Sequence, residues 1–522
     1  MAILALPLLA ELGVRAVYSY ALRRTDRFPL LYETVYWDVP PWIRYMSIFT
    51  ADKDVGLWMQ PDVSRTYINL FGPIGDLKDV EALFTTLFPS VPAWAASRDV
   101  WHLKTNSLGI RNEEIDAHKP DGSFRVVALG DSWTVGVNVE AESTYPQQLA
   151  KGLRRDHPGG SFEVINYGAI GATSETGRRL LPRILPLEPN VIVLAYAQND
   201  EESVRKGLPS AAPPAPAAMD LRTRWTGALG SLEVYKLVGD LRTRVPGGVE
   251  SAVKQAIMRV PGPADNEPRR ECPAGGSDGG RYRERLDAVV QAAAERKTDV
   301  VLLYDSLPEY WSNCTLTELR RLARERGLTL VDASALLARE GLARQADLER
   351  RRGLVPPPAE RREPSTSATV VFRVDMSSEP PGKKPSIMGN RPMLANFTPN
   401  QLELYDDATH GDQVAGDNVW SRAVEFSQPG TIIYLYTDGE RPGQWTDLEN
   451  YRSRTFAVRA SDMGTTLYAP IAVFGRRVLR SDPAHTDADG QALIADALLH
   501  AIEQGAAMHA YLDSLGQRRA NE

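Results

Sequence analysis

From residue 123 onward, short apolar runs alternate with longer stretches whose apolar positions recur every three or four residues. Residues 124–129 (FRVVAL), 162–166 (FEVIN), 191–195 (VIVLA), 299–304 (DVVLLY) and 328–332 (LTLVD) read as five buried strands. Residues 145–153, 281–296 and 316–326 carry helical spacing between them. Strands alternating with helices predict βαβ units and a parallel sheet. Two interruptions break this rhythm. Residues 201–280 hold a Pro/Ala stretch, a helical piece and a Gly-rich stretch, an excursion between the third and fourth strands. Residues 350–367 (RRRGLVPPPAERREPSTS) are charged and Pro-rich, as a linker is. After them the period changes. Residues 368–374, 420–426 and 431–436 read as short strands separated by Gly, Asp and Pro turns, the pattern of an all-β sandwich. Near residue 477 the α/β character returns and ends in one helix over 490–515.

Composition changes this picture little. The chain has 522 residues, 43% hydrophobic and 24% charged, which excludes a disordered chain, a fibre and a multi-span membrane protein. That length exceeds one core and points to three or four domains. The net charge is -7 and no long basic run occurs, so nucleic acid is not an expected partner. Cys272 and Cys314 are the two cysteines, too few for a disulfide scaffold or a four-cysteine zinc site. Residues 1–10 (MAILALPLLA) are apolar, but Glu11 follows, and a spanning helix needs about 20 such residues. They read either as the buried first turns of an amphipathic helix or as the end of an export or anchor segment.

Four segments can share one site. In Leu129-Gly130-Asp131-Ser132-Trp133-Thr134 a strand ends, a glycine permits a tight turn, and a serine meets the start of a helix. A hydroxyl there lies at the carboxyl edge of the sheet, where open α/β folds place ligands. Asn166-Tyr167-Gly168-Ala169-Ile170-Gly171 follows the second strand, and Ala197-Gln198-Asn199-Asp200 follows the third. Gly168 lets a backbone N–H approach a substrate oxygen, and the Asn199 amide can donate to the same oxygen. Asp482-Pro483-Ala484-His485 precedes the last helix and pairs an acid with a base. Together they describe acyl transfer. Ser132 is the expected nucleophile, His485 the base and Asp482 its orienting acid. Ser132 N–H, Gly168 N–H and Asn199 form the oxyanion hole, with Asp131 and Asp200 supporting the loops. Asp487 and Asp489 rival Asp482, as caps of the last helix.

These blocks, in this order, resemble the SGNH/GDSL hydrolases over about residues 100–345 and 477–518. The resemblance implies a three-layer α/β/α fold with a five-stranded parallel sheet, and ester hydrolysis or acyl transfer without metal or other cofactor. Ala197 stands where the family's third block usually has glycine. Thr105-Asn106-Ser107-Leu108-Gly109-Ile110-Arg111 looks like bacterial members that work at the cell envelope, which favours an envelope or secreted location and membrane proximity through the N-terminus.

The expected divisions are therefore 1–97, an aromatic-rich extension; 98–350, the first part of the hydrolase; 351–367, a linker; 368–476, an inserted β-sandwich module; and 477–522, the last part of the hydrolase. The module resembles immunoglobulin-like or starch-binding-like modules, in which Trp420 and Trp445 either stack on sugars or belong to core and loop. Its Asp406, Asp407, Asp412 and Asp417 read as turn residues rather than calcium ligands. The expected partner is a small-molecule or glycan ester, an O-acetylated carbohydrate among the candidates. An O-acyltransferase using the same triad and a non-catalytic glycan-binding protein are the alternatives. No oligomeric state follows from the sequence.

Overall fold

The computed structural model describes residues 9–14, 16, 30–32, 49–69, 100–206, 279–306, 313–354, 366–443, 448–449, 454–475, 479 and 485–521. The central sheet has five strands: β1 (Ser123–Gly130), β2 (Ser161–Gly168), β3 (Val191–Ala195), β4 (Asp299–Tyr304) and β5 (Thr329–Asp332). All pairs are parallel and the spatial order is β5-β4-β3-β1-β2. All eight residues of β1 are buried, as a central parallel strand covered on both faces requires.

Side-chain alternation sorts each strand between two cores. Val127 and Leu129 of β1, Ile165 and Tyr167 of β2, and Ile192 and Leu194 of β3 point to one face. There they meet α3 (Ser174–Ile184), α5 (Gly279–Ala294) and α6 (Cys314–Arg326) through Leu180, Leu286 and Leu319. Phe124, Val126, Ala128, Val164 and Val193 point the other way. They meet α2 (Tyr145–Asp156) and α8 (Ala488–Glu503) through Leu149, Leu153, Ile494 and Leu498. The result is the three-layer α/β/α arrangement with a five-stranded parallel sheet. Two further helices complete the described set near the site, α1 (Ser132–Val135) and α4 (Gln198–Lys206).

The single closing helix expected over 490–515 is two helices, α8 and α9 (Ala506–Asn521). Gly505 stands between them, and Asp299 Oδ2 accepts the Ala507 N–H at 2.8 Å. A carboxylate at the foot of β4 thus satisfies an orphan donor of α9, which propensity within the helix cannot reveal. Helix α7 (Ala333–Arg352) was also not expected as such. It runs past the boundary expected at 351 and ends on Gly353, whose φ of 68° is the left-handed cap. Residues 355–365 of the expected linker, and 207–278 of the excursion, lie outside the described residues.

Beyond α7 the chain forms two small sheets. One joins β6 (Ala368–Asp375) to β8 (Val419–Phe426) and Thr466–Tyr468; the other joins β7 (Ser386–Gly389), β9 (Gly430–Thr437) and β10 (Arg454–Val458). Val370, Phe372, Ile387, Ile432, Tyr434 and Phe456 fill one core between them, as in a sandwich. This extra β domain is docked on the end of α7. Arg352 pairs with Asp375 at 2.6 Å, and buried Arg373 pairs with Glu349 at 2.8 Å and donates to the Leu354 carbonyl. Leu354, Val419 and Ile471 bury an apolar seam beside them. Trp420 is half-buried and packs against the sandwich core; Trp445 lies outside the described residues. The carboxylates of Asp406, Asp412 and Asp417 come within 4.8 Å of one another. Asp406 accepts the N–H groups of Gly416, Asp417 and Asn418, which closes the turn.

Upstream, Phe49–Asp52 and Gly56–Met59 form a hairpin whose Trp58 joins the core on one face of the central sheet. Trp58 donates to the Leu108 carbonyl at 3.0 Å and meets the Tyr167 ring at 5.9 Å. Among the described residues, no helix is long and apolar enough to cross a membrane.

Candidate active site

Strand order reverses between β1 and β3, so the carboxyl edge there opens a crevice. Ser132 occupies it. Gly130 makes the turn possible, since a Cβ would stand 2.0 Å from Thr134 Oγ1 and 2.7 Å from the Ala195 carbonyl. Asp131 Oδ1 accepts the Trp133 N–H at 2.9 Å and fixes the first turn of α1. His485 Nε2 lies 2.7 Å from Ser132 Oγ, across 353 residues of sequence. Both side chains are buried.

The segment carrying His485 is clamped from two sides. Thr486 Oγ1 donates to the Leu479 carbonyl, and Asp487 caps α8 by accepting the Gly490 N–H at 2.9 Å. Gln491 accepts the Tyr145 N–H at 2.7 Å and donates to the Trp133 carbonyl at 3.3 Å, so α8 is tied directly to α1 and α2. Asp482 lies outside the described residues. Its rival Asp487 is committed to the helix cap.

The other expected residues gather at the same edge. Asn199 Nδ2 donates to the Ala172 carbonyl at 2.9 Å and to Asp131 Oδ2 at 3.2 Å. Asp200 is buried and accepts both the N–H and the hydroxyl of Ser174, tying the start of α3 to α4. Burial pushes its carboxyl up to about 6 against those two hydrogen bonds. Ala197 is fully buried and accommodated in the core.

Gly168 differs from expectation. Its N–H already donates to Asn166 Oδ1 at 3.1 Å. A Cβ there would lie 2.6 Å from the Val135 nitrogen and 2.8 Å from Thr134 Cβ. Close passage of α1 requires this glycine, rather than an N–H offered to substrate. Three residues on, Gly171 sits in the left-handed region at φ 75°, exposed, with nothing within 4 Å of where a side chain would begin. It is the glycine of this block that faces open space.

Three contributors had no role assigned to them from the sequence. Gln491 is one inward polar residue on an apolar helix face. Asn166 donates to the Thr134 carbonyl at 2.7 Å and so braces α1 from β2. Buried Arg111 donates to the carbonyls of Val135, Gly136 and Val139 and holds the loop after α1. The 105–111 segment is therefore part of the site's scaffold. Trp133 is buried, with its Nε1 donating to Gln198 Oε1 at 3.0 Å.

A hydroxyl hydrogen-bonded to an imidazole, at a helix start beside an amide and exposed glycine, can be deprotonated as it attacks a carbonyl. Residues 128–354 match the sequence profile of the GDSL-like lipase/acylhydrolase family. The match covers less than half of the chain; it gives residues 128–354 the likeness of a GDSL-like acylhydrolase domain and supports an ester-hydrolysing enzyme. No curated protein matches the chain. Among solved structures it is similar to a protein of the G-D-S-L lipolytic family from Desulfitobacterium hafniense DCB-2, at 15% identity and TM-score 0.24, covering 41% of this chain and 80% of that one. A two-domain esterase active on acetylated mannans matches at 16% identity and TM-score 0.26, covering 42% of this chain and 40% of its own. The SGNH-hydrolase family esterase AlinE4 matches at 16% identity and TM-score 0.23, over 40% and 75% of the two chains.

Proposed function

We propose that the enzyme cleaves small acyl esters, O-acetyl groups on carbohydrate in particular, through an acyl-Ser132 intermediate. The observation that carries this reading is the 2.7 Å contact between His485 Nε2 and Ser132 Oγ. Ser132 Oγ attacks the ester carbonyl carbon while its proton passes to His485. The oxyanion is received by the N–H groups of Ser132 and Gly171 and by Asn199 Nδ2, which releases the Ala172 carbonyl and keeps its bond to Asp131 Oδ2. Collapse breaks the C–O bond, and His485 returns the proton to the leaving alcohol. Water, deprotonated by His485, then releases the acid and frees Ser132. Asp482 is the acid proposed to orient His485.

The choice of an envelope carbohydrate rests on the 105–111 resemblance, the appended β-sandwich and the disulfide-bonded state of Cys314. Such bonds persist in oxidising compartments. The full chain incubated with acetylated mannan oligosaccharides is expected to release free acetate, with turnover falling as the acyl chain of a synthetic ester lengthens. Preference for long acyl chains and no acetate from the glycan would sink the substrate assignment. Acetate carried to a second glycan, with none set free, would make the enzyme a transferase.

A further inference from the structure

Asp305 directly follows β4, at the same sheet edge as Ser132, and is fully buried. Neither of its oxygens has a donor in good hydrogen-bond geometry. The backbone N–H groups of Ala197 and of Asp305 itself face it more loosely, and its side chain meets that of Asp131 in hydrogen-bond contact. Two carboxyl groups so placed cannot both be ionised; the contact is a hydrogen bond only with a proton between them.

Asp131 is the member of the pair that reaches the chemistry. Its Oδ1 accepts the Trp133 N–H and so sets the Ser132 turn, and its Oδ2 accepts from Asn199. We propose that Asp305 is a positioning residue: its carboxyl shares one proton with Asp131, and the shared proton holds Asp131 where it ties the Ser132 turn to the Asn199 amide. The proposal rests on the roles given above to Ser132 and Asn199.

The surroundings favour retention of that proton. Tyr145 on α2, Tyr196 after β3 and Tyr282 on α5 face the pair, and each is neutral because burial raises its hydroxyl far above the neutral range. Asp200 lies close enough to Asp131 to repel it. Glu201 on α4 faces Tyr282 and adds a further negative group on that side. His485 acts in the opposite sense on Asp131. Burial, then mutual repulsion, raises Asp305 well above the usual carboxylate range, and burial raises Asp131 as well.

The sign of the pH effect follows. The folded chain keeps a proton that the unfolded chain loses above about pH 4. Stability is therefore fullest below that pH and declines as pH rises towards the folded value. Asp305→Asn keeps a donor towards an ionised Asp131 and has no proton to lose. Asp305→Leu supplies no donor.

The experiment measures kcat, KM and melting temperature of the full chain from pH 5 to 10 for wild type, Asp305→Asn, Asp305→Leu and Ser132→Ala. Wild-type kcat/KM is expected to fall on the alkaline side, and Asp305→Asn to hold its activity there. The melting temperature of Asp305→Asn should gain on wild type as pH rises. Asp305→Leu should lose about tenfold or more in kcat, with KM within about twofold, as loss of part of an oxyanion-site support does. A wild-type alkaline fall unchanged in Asp305→Asn overturns the proposal, as does unchanged kcat in a folded Asp305→Leu. If Asp305→Leu fails to fold, the Asp305→Asn profile decides alone. An active Ser132→Ala would instead overturn the nucleophile assignment on which the proposal rests.

Discussion

Ser132→Ala is expected to lower kcat for a short acyl ester by about 10⁴- to 10⁶-fold. A change of about 10⁵ corresponds to about 7 kcal/mol of lost transition-state stabilisation. The reason is specific to this turn. Ser132 Oγ is the hydroxyl that meets His485 Nε2, and the main chain around it is held by other atoms: Asp131 Oδ1 on the Trp133 N–H, Asn166 Nδ2 on the Thr134 carbonyl, Arg111 on the Val135 and Gly136 carbonyls. Removing one oxygen leaves that frame intact, so the melting temperature should move by only a few degrees. Residual turnover reflects oxyanion stabilisation and binding, which survive loss of the nucleophile. Turnover within about tenfold of wild type would show that another group attacks the ester.

His485→Ala should cost about 10⁴-fold in kcat, because the proton of Ser132 then has nowhere to go in the attack and none returns to the leaving alcohol. Its effect on stability should exceed that of Ser132→Ala. The imidazole is buried, and truncation leaves a void beside α1. Added imidazole, entering that void, is expected to restore part of the rate in proportion to its concentration. Full activity without rescue would remove His485 from the mechanism. The two variants combined should be scarcely slower than either alone, since the residues act as one unit.

Much of this site is legible in the chain because parallel strands announce themselves and because residues at their ends must share an edge. The five apolar runs become β1 to β5 with bounds shifted by two residues at most, since buried parallel strands have no polar face to blur them. Once the strands are placed, Ser132, Asn199 and Asp200 fall together without further information. Contacts made through the fold are less legible. Gln491 and Asp305 are single polar residues in no motif, and each acts on a segment more than a hundred residues away. Gly168 and Gly171 look alike in sequence. The packing of Thr134 and Val135 against one, and the open space around the other, separates their roles. The break between α8 and α9 depends on Asp299, a carboxylate at the foot of β4. The end of α7 is similarly obscured. Its last turn, Arg350–Arg352, reads as linker because it is charged, yet Arg352 is drawn inward by Asp375 of the β domain.

The most direct test of the mechanism is to trap the acyl-enzyme. A short acetyl ester mixed with the full chain, quenched in acid during steady turnover and digested, should yield the peptide containing Ser132 heavier by about 42 Da, the mass of one acetyl group on its hydroxyl. In Ser132→Ala no peptide should carry the adduct. An acetyl group found on another residue, or unlabelled Ser132 while the ester is being consumed at the full rate, would contradict the account.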